Sequence, residues 1–221
     1  MDSPVALLDI DGTLVDSTYH HAIAWHRAFA AHDVDVPLWR VHRSIGMGGD
    51  KLVSEVAGER VEAEHGDSLR DAWQEEYAAL LDDVAPLPGA SDLVADLHGR
   101  GFRVVLASSG AARFSEHAVD LLGVGDHVAA VTSSDDAEES KPEADILVVA
   151  LDRVDGERAV VVGDTPYDVE AASRLGLACV GLLTGGYSRA ELEESGAARV
   201  VESPADHVGL DWDSLVRAAR R

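Results

Sequence analysis

The chain has 221 residues, a formal net charge of -23 and 46% hydrophobic residues. That length suits one large domain, or one core domain carrying an insertion, around a sizeable core. The charge argues against nucleic acid or an anionic membrane as a partner, and a single cysteine, Cys179, excludes an internal disulfide and points to a reducing compartment.

The opening Met-Asp-Ser-Pro has no basic region of the kind that begins a secretory signal. The charge-free stretch over residues 175–188 is too short for a membrane span and contains four glycines. A cytoplasmic protein is the expectation. Only two lysines, Lys51 and Lys141, stand against 16 arginines, so the position of each lysine is informative.

The first predicted element is a strand over residues 5–9, and it delivers Asp9 and Asp11 with Ile10 between them. Residues i and i+2 of a strand share a face, so the two carboxylates project together. At about 5 Å they repel by roughly 3 kcal/mol at an effective dielectric near 20. A fold tolerates this for a cation, a shared proton or a reaction, and Gly12 permits a sharp turn just after the pair. A solvated Asp-rich turn is the plain alternative.

A helix follows with Ser17 as its cap and Tyr19, Ile23, Phe29 and Ala30 on one face. Next comes a Gly-rich loop, "SIGMGGDKLVSEVAGE", that runs into a helix, and then a clearer helix with Leu69, Trp73, Tyr77 and Leu80 at helical spacing. Residues 16–84 read as all-helical, and "APLPGA" punctuates the chain after them. His20, His21 and His26 read as solvated or packing residues rather than metal ligands.

From Gly89 the rhythm becomes an alternation of helices (90–98, 114–122, 144–151, 166–175) and apolar strands ("FRVVLAS", "HVAAVTS", "RAVVVGD", "ACVGLL"), with weaker units to the end. The pattern predicts an α/β protein: a Rossmann-like, doubly wound parallel sheet interrupted early by an all-helical insertion. The core covers residues 1–15 and 85–221, the insertion 16–84. Ligands of such sheets bind beyond the carboxyl ends of the strands, which is where Asp9, Asp11, Ser108 and Asp164 fall.

"LASSG" places Ser108 and Ser109 before a helix, either as an anion site or as an N-cap. In "SKPEAD", Ser140 and Glu143 resemble a capping box with Pro142 in the first turn. Lys141 is then out of place, because a cation is disfavoured near a helix N-terminus; a functional charge is the favoured reading and a solvated lysine the plain alternative. Asp164 is a third acid at the mouth of the sheet, and Thr165 with Asp168 reads as a second capping box. Three carboxylates, a hydroxyl and a lysine together suit Mg²⁺ and a phosphate ester.

The stretches "LLDIDGTLVDS", "LASSG", "SKPEAD" and "VVGDTPYD" resemble, in order, the four motifs of the haloacid dehalogenase-like hydrolase superfamily, over nearly the whole chain. The insertion resembles the helical cap of its phosphoglycolate phosphatase and β-phosphoglucomutase branch. The resemblance implies Asp9 as nucleophile and Asp11 as general acid/base. It implies phosphoryl binding by Ser108, Ser109 and Lys141, and Mg²⁺ held by Asp9, the Asp11 backbone carbonyl and Asp164, with Asp168 in support. Leu8 stands where many relatives carry Phe, and Asp11 sets the chain apart from the dehalogenases. In the cap, Arg43, Gly46, Gly49 and Lys51 are expected to meet the substrate, with Arg43 and Lys51 reaching a second anionic group. The implied activity is a phosphatase on a small phosphorylated metabolite. A phosphosugar mutase is the close alternative, and a receiver-like or non-catalytic phosphate-binding module the distant one.

Overall fold

The computed structural model describes residues 3–136 and 140–218. In chain order the regular elements are β1 (Val5–Leu8), α1 (Thr18–Ala31), α2 (Leu38–His42), α3 (Gly49–Ala57), α4 (Glu59–Ala78), α5 (Ala90–Gly99), β2 (Arg103–Ala107), α6 (Ala112–Leu122), β3 (Val128–Thr132), α7 (Asp145–Asp152), β4 (Ala159–Gly163), α8 (Pro166–Arg174), β5 (Ala178–Leu182), α9 (Arg189–Glu194), β6 (Arg199–Val201) and α10 (Trp212–Ala218). The strands form one parallel sheet in the order β3-β2-β1-β4-β5-β6. The order reverses beside β1, the switch point at which such sheets bind ligands.

Alternation along β1 sorts its side chains to the two faces. Ala6 and Leu8 join one apolar cluster, which runs under α5, α6 and α10 and on into the inserted helices. Val5 and Leu7 join the other, built on α7, α8 and α9. With both faces covered, the central strands are apolar throughout, as the sequence pattern requires.

Helices α1–α4 lie between β1 and β2, with α1 and α3 packed on α4. The chain enters and leaves this helical segment side by side: Asp16 N donates to Ala85 O (2.8 Å) and Leu87 N to Leu14 O (2.9 Å). We propose this seam as the joint between a core of residues 1–15 and 85–221 and a helical cap of 16–84. Among the described residues no helix is long and apolar enough to cross a membrane.

Several local expectations are corrected. The buried face of α1 carries His21, Ala22, Trp25, Ala28 and Phe29, while Tyr19 is half exposed; the stripe is set by packing on α4 rather than by hydropathy alone. Ser17 makes no capping bond, because its hydroxyl is drawn to Asp11. The Ser140–Glu143 capping box does not form either, and α7 begins only at Asp145. The Ser140 hydroxyl instead donates to Asp50 (2.5 Å), and Arg174 takes the Glu143 carboxylate (2.7 Å). The Thr165–Asp168 box does form, with Pro166 in the first turn of α8.

Leu8 is fully buried at the centre of the sheet. Leu8→Ala is expected to lower the unfolding free energy by about 2–5 kcal/mol, read as a reduced midpoint in urea denaturation; an unchanged midpoint would contradict the packing described.

Candidate active site

The site is assembled from segments that follow β1, β2, β3 and β4 and from the first and last long helices of the insertion. After β1 the chain turns sharply at Gly12, which has φ +76. A side chain here would be strained by that backbone and would also run into Asp164 Oδ2 and Thr18 Oγ1. The turn is what lets the β1 loop lie against the β4 loop.

Asp9 is buried just past β1. Lys141 Nζ lies 2.5 Å from Asp9 Oδ1 and 2.7 Å from Asp168 Oδ1, and donates also to Ala107 O at 3.3 Å. The ammonium is 2% exposed. Burial works to lower its pKa, but the charges of Asp168 and Asp9 outweigh this and push it up, so Lys141 stays protonated. Asp164, at the end of β4, accepts from Thr13 Oγ1 at 2.9 Å through Oδ1, while its Oδ2 is buried without a partner. Asp168 is tied down by the N–H and hydroxyl of Thr165 (3.1 and 2.7 Å).

Asp9, Asp164 and Asp168 each offer an oxygen within 4.8 Å of the others, all three residues buried. One lysine does not balance three carboxylates. Burial, partly offset by Lys141 and reinforced by Asp168 and Asp11, pushes Asp9 up to about 7. Burial, with Asp168 and Asp9 adding to it, raises Asp164 well above the ordinary carboxylate range. The orphaned Asp164 Oδ2 and this surplus of negative charge are what a hard divalent cation would satisfy, so the donor set fits one.

Asp11 sits apart from that cluster. Its Oδ1 accepts from Ser17 Oγ at 2.7 Å and lies 2.9 Å from His21 Nε2, with Tyr77 OH at the long limit of 3.5 Å. Burial favours the neutral carboxyl, but His21 and the hydrogen bonds from His21 and Ser17 prevail and hold Asp11 below the usual range. His21 is itself clamped, with its ring stacked on Tyr77 at 3.7 Å and on Trp73 at 5.6 Å. The two aspartates reach one pocket with opposite electrostatic tuning.

Ser108 Oγ accepts from Gly110 N (2.9 Å) and lies 3.5 Å from Asp11 Oδ2. It does not cap a helix, because α6 starts at Ala112. Ser109 and Gly110 line the pocket, and Ser109 Oγ is buried without a partner. Of the cap residues, Gly46 and Gly49 line the pocket, while Arg43 and Lys51 do not. Arg43 reaches Glu191 (2.5 Å) and lies over the Tyr187 ring; Lys51 Nζ donates to Ser140 O (3.1 Å). Reading the sequence missed His21, Ser17 and Tyr77 as partners of Asp11. The available signal was the spacing 17, 21, 25, which sets Ser17, His21 and Trp25 on one face of α1.

The model for haloacid dehalogenase-like hydrolases matches residues 4–176. The chain is 29% identical to a phosphoglycolate phosphatase of Caulobacter vibrioides, over 90% of this chain and 86% of that one. It is 30% identical to validoxylamine A 7'-phosphate phosphatase of Streptomyces hygroscopicus subsp. limoneus, over 81% and 85%. Among solved structures, a hydrolase from Pseudomonas syringae superposes with a TM-score of 0.88 at 31% identity, covering 94% of this chain and 97% of that one.

Raised carboxyl pKa values make the folded state bind more protons than the unfolded chain, from the ordinary carboxylate range near 4 up to about 7 for Asp9. Stability of the cation-free protein should therefore fall as pH rises through that window. Asp11, held low, contributes in the opposite sense only below it. A divalent cation competes with those protons, so its stabilising effect should grow with pH. Urea midpoints measured between about pH 5 and pH 8, with chelator and with Mg²⁺, should diverge towards the alkaline end; superimposable curves would refute the cluster as a cation site.

Proposed function

The chain belongs to the haloacid dehalogenase-like hydrolase family, and on that premise we propose that it hydrolyses a small phosphate monoester through an aspartyl-phosphate intermediate, with Mg²⁺ as its cation. It is a phosphatase by family and by its relatives. The observation that carries the finer reading is the split between Asp9, joined to Lys141 and the buried acids, and Asp11, joined to Ser17 and His21.

Asp9, Asp164 and the Asp11 backbone carbonyl would hold Mg²⁺, with Asp168 in support; when bound, the ion neutralises the acids and the phosphoryl oxygens. An Asp9 carboxylate oxygen attacks phosphorus as the bond to the ester oxygen breaks, and Asp11, which takes up a proton from solvent as the charge of the phosphate enters the pocket, gives it to that oxygen. Asp11 then takes a proton from water, whose oxygen attacks the acyl phosphate; the P–O bond to Asp9 breaks, phosphate leaves, and Asp9 is restored. Lys141 and the hydroxyls of Ser108 and Ser109 serve the phosphoryl oxygens. Lys141 also keeps Asp9 oriented through the contact at 2.5 Å. His21 and Ser17 orient Asp11 and take part of its charge. Substrates of the two named relatives, phosphoglycolate and validoxylamine A 7'-phosphate, are both small phosphate esters, which supports that class here.

Asp9→Asn should abolish release of phosphate from an aryl phosphate, by at least about 10³-fold, since the covalent step is lost. Removal of divalent cations by EDTA should silence the wild-type protein, and Mg²⁺ should restore it. Substantial turnover by Asp9→Asn, or turnover indifferent to chelation, would overturn the mechanism.

A further inference from the structure

The pocket above Asp9 and Asp11 has a volume of about 50 Å³. Apart from the two aspartates, His21, Ser109 and Gly110, it is lined by Trp25, Ile45, Gly46, Met47, Gly49 and Trp73, all from the helical insertion. No lysine or arginine is among the lining residues described. The cations that the insertion places nearby are each engaged elsewhere. Arg43 is paired with Glu191 across the cleft (2.5 Å), and Lys51 is directed to Ser140 O (3.1 Å) with Glu143 at 3.9 Å. Arg70, whose stem runs beside Gly49, is paired with Glu62 and Asp67, each at 2.9 Å. His21 is committed to Asp11.

A substrate's second anion would therefore enter an apolar wall with Asp11 opposite and no counter-charge, an arrangement that proteins avoid. Trp73 is 9% exposed, and its ring is fixed by stacking on Trp25, with centroids 5.1 Å apart and planes 10° apart.

Resting on the phosphatase reading, we propose that the alcohol esterified to the phosphate is uncharged and presents apolar surface to Trp25, Ile45, Met47 and Trp73. Phosphate esters bearing a carboxylate are excluded as preferred substrates. The expected roles of Arg43 and Lys51 in meeting a second anionic group are replaced by roles in holding the insertion to the core.

The test compares two-carbon esters: 2-hydroxyethyl phosphate and ethyl phosphate, both uncharged in the alcohol, against 2-phosphoglycolate. Wild-type kcat/KM should favour 2-hydroxyethyl phosphate over 2-phosphoglycolate by more than about tenfold, the effect of one unfavourable contact of about 1.4 kcal/mol. Ethyl phosphate should share that advantage. Met47→Arg should move the preference towards 2-phosphoglycolate. Equal or better use of 2-phosphoglycolate by the wild type overturns the proposal. Calorimetric titration of Asp9→Asn with the same esters and Mg²⁺ separates the two readings. If binding follows the predicted ranking but the wild type hydrolyses none of them, the phosphatase reading falls and this one stands. Hydrolysis in the reverse order sinks this one alone, and absence of both binding and hydrolysis sinks both.

Discussion

The site depends on one buried ammonium. Lys141 stands between Asp9 and Asp168 with almost no contact with water, and among the described residues it is the one cation set against three carboxylates at the end of the sheet. Loss of one partner from such a buried arrangement typically costs about 3–5 kcal/mol. The remaining imbalance is the chemically useful part. It leaves Asp164 Oδ2 unsatisfied and Asp9 raised to about 7, a surplus that a divalent cation would relieve.

The second constraint is the separation of the two aspartates. They are two residues apart in the chain and reach the same pocket, yet Asp9 answers to the core and Asp11 to the insertion. Ser17 and His21 on α1, and Tyr77 on α4, surround the Asp11 carboxylate. The Tyr77 phenol is pushed up by burial and by Asp11 beside it, so it remains a neutral donor. The helices that shape the wall of the pocket thus also set the protonation of a group at its floor.

The parallel sheet, its helical insertion and the convergence of Asp9, Asp11, Lys141 and Asp164 beyond the strand ends were legible because they rest on local pattern: apolar strands that end in acids, and a lysine in a chain that nearly lacks it. What escaped depends on partners distant in sequence. Ser17 has the right chemistry for a helix cap and donates to Asp11 instead. Ser140 and Glu143 have the spacing of a capping box, but Asp50 and Arg174 compete for them across more than thirty positions. Arg43 and Lys51 looked available for an anion because their counter-groups, Glu191 and the Ser140 carbonyl, lie on the other side of the cleft. Local spacing reports which groups could interact; it does not report which competitor is nearer in space.

The paired strands of chain at residues 14–16 and 85–87 make the helical insertion a cassette whose two ends emerge together. Such a module could be exchanged among relatives without rethreading the sheet. Asp11, however, would lose Ser17, His21 and Tyr77 with it. A foreign module would have to import its own escort for that carboxylate, so the wall of the pocket and the surroundings of Asp11 travel as one parcel.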